Sequence, residues 1–277
     1  MNSWVVLTGI AGLSNNLFNF IGRKSMKDGD STAFLWWFTV FKLGVFLILL
    51  VFDYWINLSL FNLLILLGLG LVEIVSLYLF GKMHALTELS ISQIIIRLRL
   101  IYLPIIGWLF LGERFSLQEY AGMGLIFIGL AAAAFSKKMK IDRGVKLVFL
   151  FSMAVTLLSV LMKKAAETAS TPVVMIFMAL PTIMVLPLLM KQAKARIIKT
   201  YKSKIKDILI FTFFSTIAMY LLTDALRVGP VSKVISIYQS MLVVAVILGI
   251  VFLRERERIG YKLAGALLTA GGVLLLV

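Results

Sequence analysis

Ionisable residues inside apolar segments carry the most readable chemistry in this sequence. Lys42, Glu73, Arg97 and Arg99 each interrupt a long apolar run. An ionisable side chain at the centre of a bilayer costs roughly 2.5–3.5 kcal/mol on insertion scales, so we expect it to face the interior of a helix bundle. Such residues are typical of a substrate or ion pathway. The structural alternative is an internal ion pair of Glu73 with Lys42 or with an arginine.

On an ideal α-helix, the side chains of the two arginines point in different directions. Residues two apart on an α-helix point about 200° from one another, so Arg97 and Arg99 are not expected to share one site. Gln93 and Arg97 share a face, and a half-chain offset places Arg97 opposite Gln239. We therefore favour Arg97 as the residue that faces a cavity, in which case Arg99 pairs with a neighbouring helix or has a structural role; the alternative is that Arg99 is the cavity residue.

Polar stripes recur in the first apolar segment of each half of the chain. The stripes are Gly12, Asn16, Asn19 and Arg23, and, 140 residues later, Ser152, Thr156, Ser159 and Lys163. Their spacing holds each stripe on one helical face. Recurrence in both halves predicts that they line a cavity, and hydrogen bonding between helices is the alternative.

A substrate site is predicted between the two halves, near the middle of the membrane. Its predicted residues are Asn16, Asn19, Trp37, Lys42, Gln93, Arg97, Ser152, Thr156, Ser159, Tyr238 and Gln239. Glu73 is the candidate proton carrier because it is the only carboxylate well inside an apolar segment. No metal site is expected, since the chain has no cysteine and one histidine.

Composition defines the class of protein. The chain is 61% hydrophobic with a mean hydropathy of +1.02, and a membrane-spanning helix needs about 20 apolar residues. Ten such runs lie near 3–22, 32–52, 60–80, 89–111, 117–135, 145–162, 172–190, 208–226, 231–253 and 259–277. The sequence therefore predicts an all-α polytopic protein of the cell membrane with ten transmembrane helices.

Basic residues sort by side of the membrane. Of 28 Lys and Arg, 20 lie in or beside the connections 1–2, 3–4, 5–6, 7–8 and 9–10, and 5 lie in the others. The positive-inside rule then places the odd-to-even connections in the cytoplasm and both termini outside. The net charge of +15 is explained by anionic lipid facing the basic 191–206 stretch, so no nucleic acid partner is expected.

An internal repeat divides the chain. The segment 104–114, PIIGWLFLGER, returns at 246–256 as VILGIVFLRER, a displacement of 142 residues. We predict two repeats, 1–138 and 139–277. Five spans in each half is an odd number, so the halves cross the membrane in opposite directions, as inverted repeats of secondary transporters do.

These features resemble one known family. The chain resembles the EamA-like branch of the drug/metabolite transporter superfamily in three features. It has ten spans in two five-helix halves, Pro104 nine residues before Glu113 in the first Leu-Gly-Glu ending, and a glycine-rich last span. Val246 and Arg254 depart from the pattern in the second half. The resemblance implies carrier-type transport of small organic molecules and leaves the substrate open.

Enzymatic chemistry is not expected. Glu113 and Glu255 resemble a catalytic carboxylate pair, but the inverted topology puts them on opposite membrane faces, roughly 30 Å apart. We expect them to be interfacial anchors paired with Arg114 and Arg256. No nucleotide-binding motif is present, so neither ATP nor another cofactor is expected.

The predicted function is secondary transport of a small organic metabolite or drug across the cell membrane by alternating access. Proton coupling and exchange both remain open as the driving force. The alternative is a flippase for a lipid-linked anionic headgroup, which the deep arginines would also suit. The expected partners are a small-molecule substrate and the lipid bilayer, with the chain acting as a monomer or weak homodimer.

Overall fold

Ten helices are present in the part of the chain that the computed structural model describes, which is residues 3–27, 29–86, 95–134, 143–244 and 259–276. They are α1 (Ser3–Lys27), α2 (Ser31–Leu49), α3 (Leu60–Leu86), α4 (Arg99–Leu111), α5 (Leu117–Ala134), α6 (Arg143–Thr168), α7 (Thr171–Val185), α8 (Ala193–Val228), α9 (Val231–Ser240) and α10 (Ile259–Leu276). A 3₁₀ turn, Leu186–Leu189, follows α7. In these ranges the only β pairing is one isolated bridge, Ile56 to Ala169.

Helix ends follow local sequence signals. The Asp30 side chain caps α2 by accepting a hydrogen bond of 3.1 Å from the Ala33 N–H. At the start of α5, Ser116 and Glu119 form a reciprocal capping box, in which the Ser116 N–H donates to Glu119 and the Glu119 N–H donates to the Ser116 hydroxyl. Because these caps satisfy backbone donors at the helix ends, the chain can stop and reverse at each membrane face.

The helices are those of a polytopic membrane protein. Five stretches are long and apolar enough to cross a bilayer by themselves: α2, Leu60–Met83, Gly144–Thr168, α7 with its 3₁₀ turn, and α8. Shorter apolar helices include Arg99–Leu111 and Leu263–Leu276. With 36 residues, α8 is roughly 54 Å long. It is therefore longer than the hydrocarbon core, which is about 30 Å thick.

Helix packing shows that the two halves are equivalent. Helix α1 packs on α8 while its counterpart α6 packs on α3, and α2 packs on α8 while α7 packs on α3. Likewise α1 packs on α9 while α6 packs on α4. Exchanging each helix for the one five places away reproduces these main contacts. The protein is thus built from two inverted five-helix repeats that pack mainly on each other.

Close packing of α5 on α10 depends on glycine. A Cβ added to Gly122 would lie 2.8 Å from the carbonyl oxygen of Gly272, and one added to Gly272 would lie 2.5 Å from the carbonyl oxygen of Gly122. Small residues of this kind allow helix backbones to approach closely in membranes. This pair stands beside α4 and α9, and neither of its helices contributes to the cavity described next.

Candidate functional site

A cavity of about 200 Å³ lies between the two repeats, near the middle of the helices. Helices α1, α2, α3 and α4, with the residues just before α4, line it from the first repeat, and α6, α8 and α9 line it from the second. Its walls are mostly apolar. The polar residues of the lining are Asn15, Asn16, Lys42, Glu73, Ser76, Arg97, Arg99, Ser159, Ser215, Tyr238 and Gln239.

Many of the residues predicted from sequence come together here. The structure places Asn16, Lys42, Glu73, Arg97, Ser159, Tyr238 and Gln239 around this cavity. Arg97 and Gln239 enter it from opposite repeats, as their offset of 142 residues suggested. A role for these side chains in binding substrate stays a prediction.

Three predicted residues do not line the cavity. Trp37 is turned towards α8, where its Nε1 donates a hydrogen bond of 2.9 Å to the carbonyl oxygen of Ile197. Ser152 donates to the carbonyl oxygen of Ile96 at 3.4 Å, and Thr156 donates back to Ser152 at 2.7 Å. In the described lining, Ser159 is the one member of the α6 stripe, and the apolar Val155 and Leu158 stand beside it.

Two predicted residues fall outside what the structure describes. Gln93 belongs to the segment 87–94, which is not described. Asn19 lies within α1, but its side chain is not among the described parts. Their predicted places in the site stay predictions.

Glu73 forms a buried ion pair with Lys42. The Lys42 Nζ lies 3.3 Å from Glu73 Oε1, and the two side chains are 1% and 5% exposed. The Lys42 ammonium also lies 5.0 Å from the centre of the Phe38 ring. The internal pairing considered for these residues is therefore present, and the pair stands at the edge of the cavity.

Both arginines line the cavity, and the prediction that they could not share a site was wrong. Residues 97 and 98 form a turn rather than an α-helix: the Leu98 N–H donates to Ile95 and the Leu100 N–H to Arg97. With three residues per turn, the smaller angle between side chains two apart is about 120°. In an α-helix it is about 160°, which is the 200° step measured the other way round. This tighter turn lets both guanidinium groups reach one cavity.

Arg99 also contacts a neighbouring helix, as predicted. Its Nη2 donates to the hydroxyl of Ser159 at 2.5 Å and to the carbonyl oxygen of Val155 at 3.4 Å, both on α6. Arg99 is 8% exposed. The residue therefore links α4 to α6 while its guanidinium borders the cavity.

Ser215 lines the cavity but was not among the residues predicted from the sequence. It lies on α8 and is buried. Its number is 142 above that of Glu73, so it is the repeat counterpart of the candidate proton carrier. The repeat offset was the signal that could have identified it.

Glu113 does not pair with Arg114, contrary to our expectation. Its carboxylate accepts hydrogen bonds from the Val231 N–H at 2.5 Å and from the Ser232 hydroxyl at 2.8 Å, at the start of α9. A carboxylate at a helix N-terminus satisfies free N–H groups and complements the helix dipole. Glu255 and Arg256 lie outside the described residues.

A polar cluster lies at the opposite end of the bundle, where α8 begins. Arg196 Nη2 donates to Asp30 at 2.8 Å. Burial alone would raise the pKa of the Asp30 carboxyl, but the hydrogen bonds from Arg196 and from the Ala33 N–H outweigh it, so this pKa is below its usual value. The cluster joins the loop after α1 to the second repeat.

Metal ligation has no support in the described part of the chain. Across those residues, no three His, Cys, Asp or Glu side chains lie close enough to hold a metal ion.

Comparison with known proteins identifies both halves of the chain. The model of the EamA-like transporter family matches residues 2–135 and again residues 142–277. No curated protein matches the sequence. The predicted boundary between 138 and 139 lies between the two matched segments and outside the described residues, so it stays a prediction.

Solved structures contain the same fold. One crystal structure superposes with a TM-score of 0.74, covering 99% of this chain and 98% of its own, at 15% sequence identity. A likeness at this identity shows the fold alone.

Proposed function

Since this chain belongs to the EamA-like transporter family, we propose that it is a secondary transporter that moves a small organic metabolite or drug across the cell membrane by alternating access. The family indicates a membrane transporter of the drug/metabolite type. The solute, the driving force and the alternating movement belong to the proposal.

The cavity between the repeats is the observation that carries this proposal. Arg97 enters it from the first repeat and Gln239, at the equivalent position, from the second. Secondary transporters built from inverted repeats hold their substrates at such an interface, and rocking of one repeat against the other exposes the site to each side in turn. All the described lining residues belong to one chain, and we therefore expect a single copy to bind the solute.

Hydrogen bonds and an ion pair join the two repeats at both ends of the bundle, and a rocking movement would have to break some of them. At the end of the bundle that holds Glu113, the Asn57 N–H donates to the carbonyl oxygen of Thr168 at 2.8 Å. At the opposite end, where α8 begins, Arg196 pairs with Asp30. Alternating access would break the contacts at one end while it keeps those at the other.

Glu73 is the proposed proton carrier. Uphill transport without ATP needs an ion or exchange gradient, and a proton needs a titratable group in the pathway. A cation stabilises the ionised form of a buried carboxyl, and its withdrawal favours proton uptake. Because Lys42 is paired with Glu73 in this conformation, proton binding would require the two groups to separate during the cycle.

Release of solutes from proteoliposomes tests the proposal. Liposomes loaded with a metabolite extract and containing the protein should lose one class of solute faster than protein-free liposomes. The Gln239→Leu variant, which changes the cavity wall, should slow this loss, whereas Lys202→Gln at an exposed position should not. If no solute leaves faster but a labelled lipid-linked headgroup changes leaflet, the flippase alternative replaces this function.

A further inference from the structure

We infer that the cavity binds an organic anion with a carboxylate or phosphate head and an apolar body. The inference deepens the proposed function, because it names the class of solute that the same site would carry. It rests on the charges, the hydrogen-bond donors and the walls of the cavity.

The charge of the described lining favours an anion. Lys42 and Glu73 neutralise each other in their buried ion pair. Arg99 is 8% exposed, and in the described part of the chain its hydrogen-bond partners are uncharged, namely the Ser159 hydroxyl and the Val155 carbonyl. A buried cation without a counter-ion is costly. A bound anion would supply the missing negative charge at this place.

Hydrogen-bond donors converge on the same cavity. The Asn16 Nδ2, the Gln239 Nε2 and the Arg99 Nε are all buried, and none has an acceptor among the described residues. They come from α1, α9 and α4, and all three residues line the cavity. Unsatisfied buried donors are rare in native proteins. Carboxylate and phosphate oxygens only accept hydrogen bonds, so they match this set of donors.

The residues of the cavity walls indicate the size and apolar character of the rest of the ligand. Four phenylalanines line the cavity, Phe38, Phe80, Phe151 and Phe211, together with leucine and methionine side chains. The volume of about 200 Å³ equals that of about seven water molecules at roughly 30 Å³ each. A compact aromatic or branched body fits these walls, and acyl chains of a lipid do not.

A cationic solute is not favoured. In the described lining the one carboxylate is Glu73, and Lys42 already holds it at 3.3 Å. An ammonium group placed here would face Arg99 without a free carboxylate partner among those residues.

Thermal unfolding of the purified full-length protein tests the inference with three matched probes. These are 3-phenylpropionate, 3-phenylpropanol and 3-phenylpropylamine at equal millimolar concentration, which share a body and differ in charge. A ligand of the native state raises the unfolding temperature by mass action. We expect the acid to raise it, and the alcohol and the amine to leave it unchanged.

Variants test whether the shift in unfolding temperature arises from binding of the acid in the cavity. Arg99→Gln should remove the shift caused by the acid, while Lys202→Gln, which removes the same charge from an exposed position, should keep it. If Arg99→Gln does not fold, Gln239→Leu, which alters no charge, should weaken the shift instead. Addition of phosphatidylglycerol to the micelles should not abolish the shift; if it does, the site takes a lipid headgroup and the inference of a free solute is wrong.

Three further results would overturn the inference: equal stabilisation by the amine or the alcohol, no stabilisation by the acid, or loss of the shift in Lys202→Gln. These outcomes are separate from the failure of the proposed function. Cavity-dependent transport of neutral or cationic solutes would leave the transporter proposal standing. Binding of the acid without transport of any solute would refute only the transporter proposal.

Discussion

Glu113, two residues after α4, accepts a hydrogen bond of 2.8 Å from the hydroxyl of Ser232 in the first turn of α9. The contact crosses between repeats, because α4 belongs to the first and α9 to the second. Helix α9 carries Tyr238 and Gln239 to the cavity. The acidic end of the Leu-Gly-Glu segment therefore anchors the helix that brings two of the second repeat's polar side chains to the site.

Removal of this anchor should destabilise the protein. Glu113→Ala deprives the α9 N-terminus of its cap, and lost caps cost about 0.5–2 kcal/mol. We expect a lower unfolding temperature for Glu113→Ala, a smaller decrease for Glu113→Gln, and none for Glu167→Gln on the surface of α6. Equal unfolding temperatures for Glu113→Ala and wild type would show that the contact contributes nothing.

Glu73→Gln should abolish accumulation driven by a pH gradient in proteoliposomes, because glutamine cannot carry a proton. Exchange of substrate at equal pH should survive, since exchange needs no net proton movement. Glu167→Gln is the control for loss of a carboxylate elsewhere. A Glu73→Gln protein that still accumulates substrate against its gradient would show that Glu73 is not the proton carrier.

The buried pair should show strong coupling between its members. Lys42→Met or Glu73→Gln alone leaves an unpaired buried charge, a change that costs roughly 3–5 kcal/mol. The double variant removes both charges and should unfold at a higher temperature than Lys42→Met. A double-mutant cycle on unfolding free energies measures this coupling. Additive effects of the two changes would mean that the pair makes no energetic contribution.

Acid should weaken the Asp30–Arg196 contact. The pKa of Asp30 is lowered in the folded protein, so the stability that it contributes is present above its unfolded pKa, about 3.9, and is lost as the pH falls through the folded pKa. Asp30→Asn should therefore unfold at a lower temperature than wild type near neutral pH, and this difference should shrink in acid. A difference that is independent of pH would refute the electrostatic account.

Both termini should face away from the cytoplasm. The count of 20 basic residues against 5 predicts this orientation. A reporter that folds only in the cytoplasm should be inactive when fused after Val277 and active when inserted near Lys202. The reverse pattern would invert the predicted orientation.

The sequence by itself determined the class of protein, the ten spans and the two repeats. The physical reason is that a bilayer requires about 20 apolar residues per helix and leaves few alternatives to a helix for satisfying the backbone. It also indicated much of the cavity, because the cost of burying Lys42, Glu73 and Arg97 in hydrocarbon forces such residues inward.

Tertiary structure decided which side chains meet. The turn at residues 97 and 98 brings Arg99 to the cavity beside Arg97, and an ideal helical period cannot show a local change of pitch. Trp37 donates to the carbonyl of Ile197, and Glu113 accepts from Ser232. These partners lie 160 and 119 residues away in the sequence, so local spacing could not indicate them. The periodicity of residues along the sequence describes a single helix. The hydrogen-bond partners of its side chains depend on which other helices pack around it.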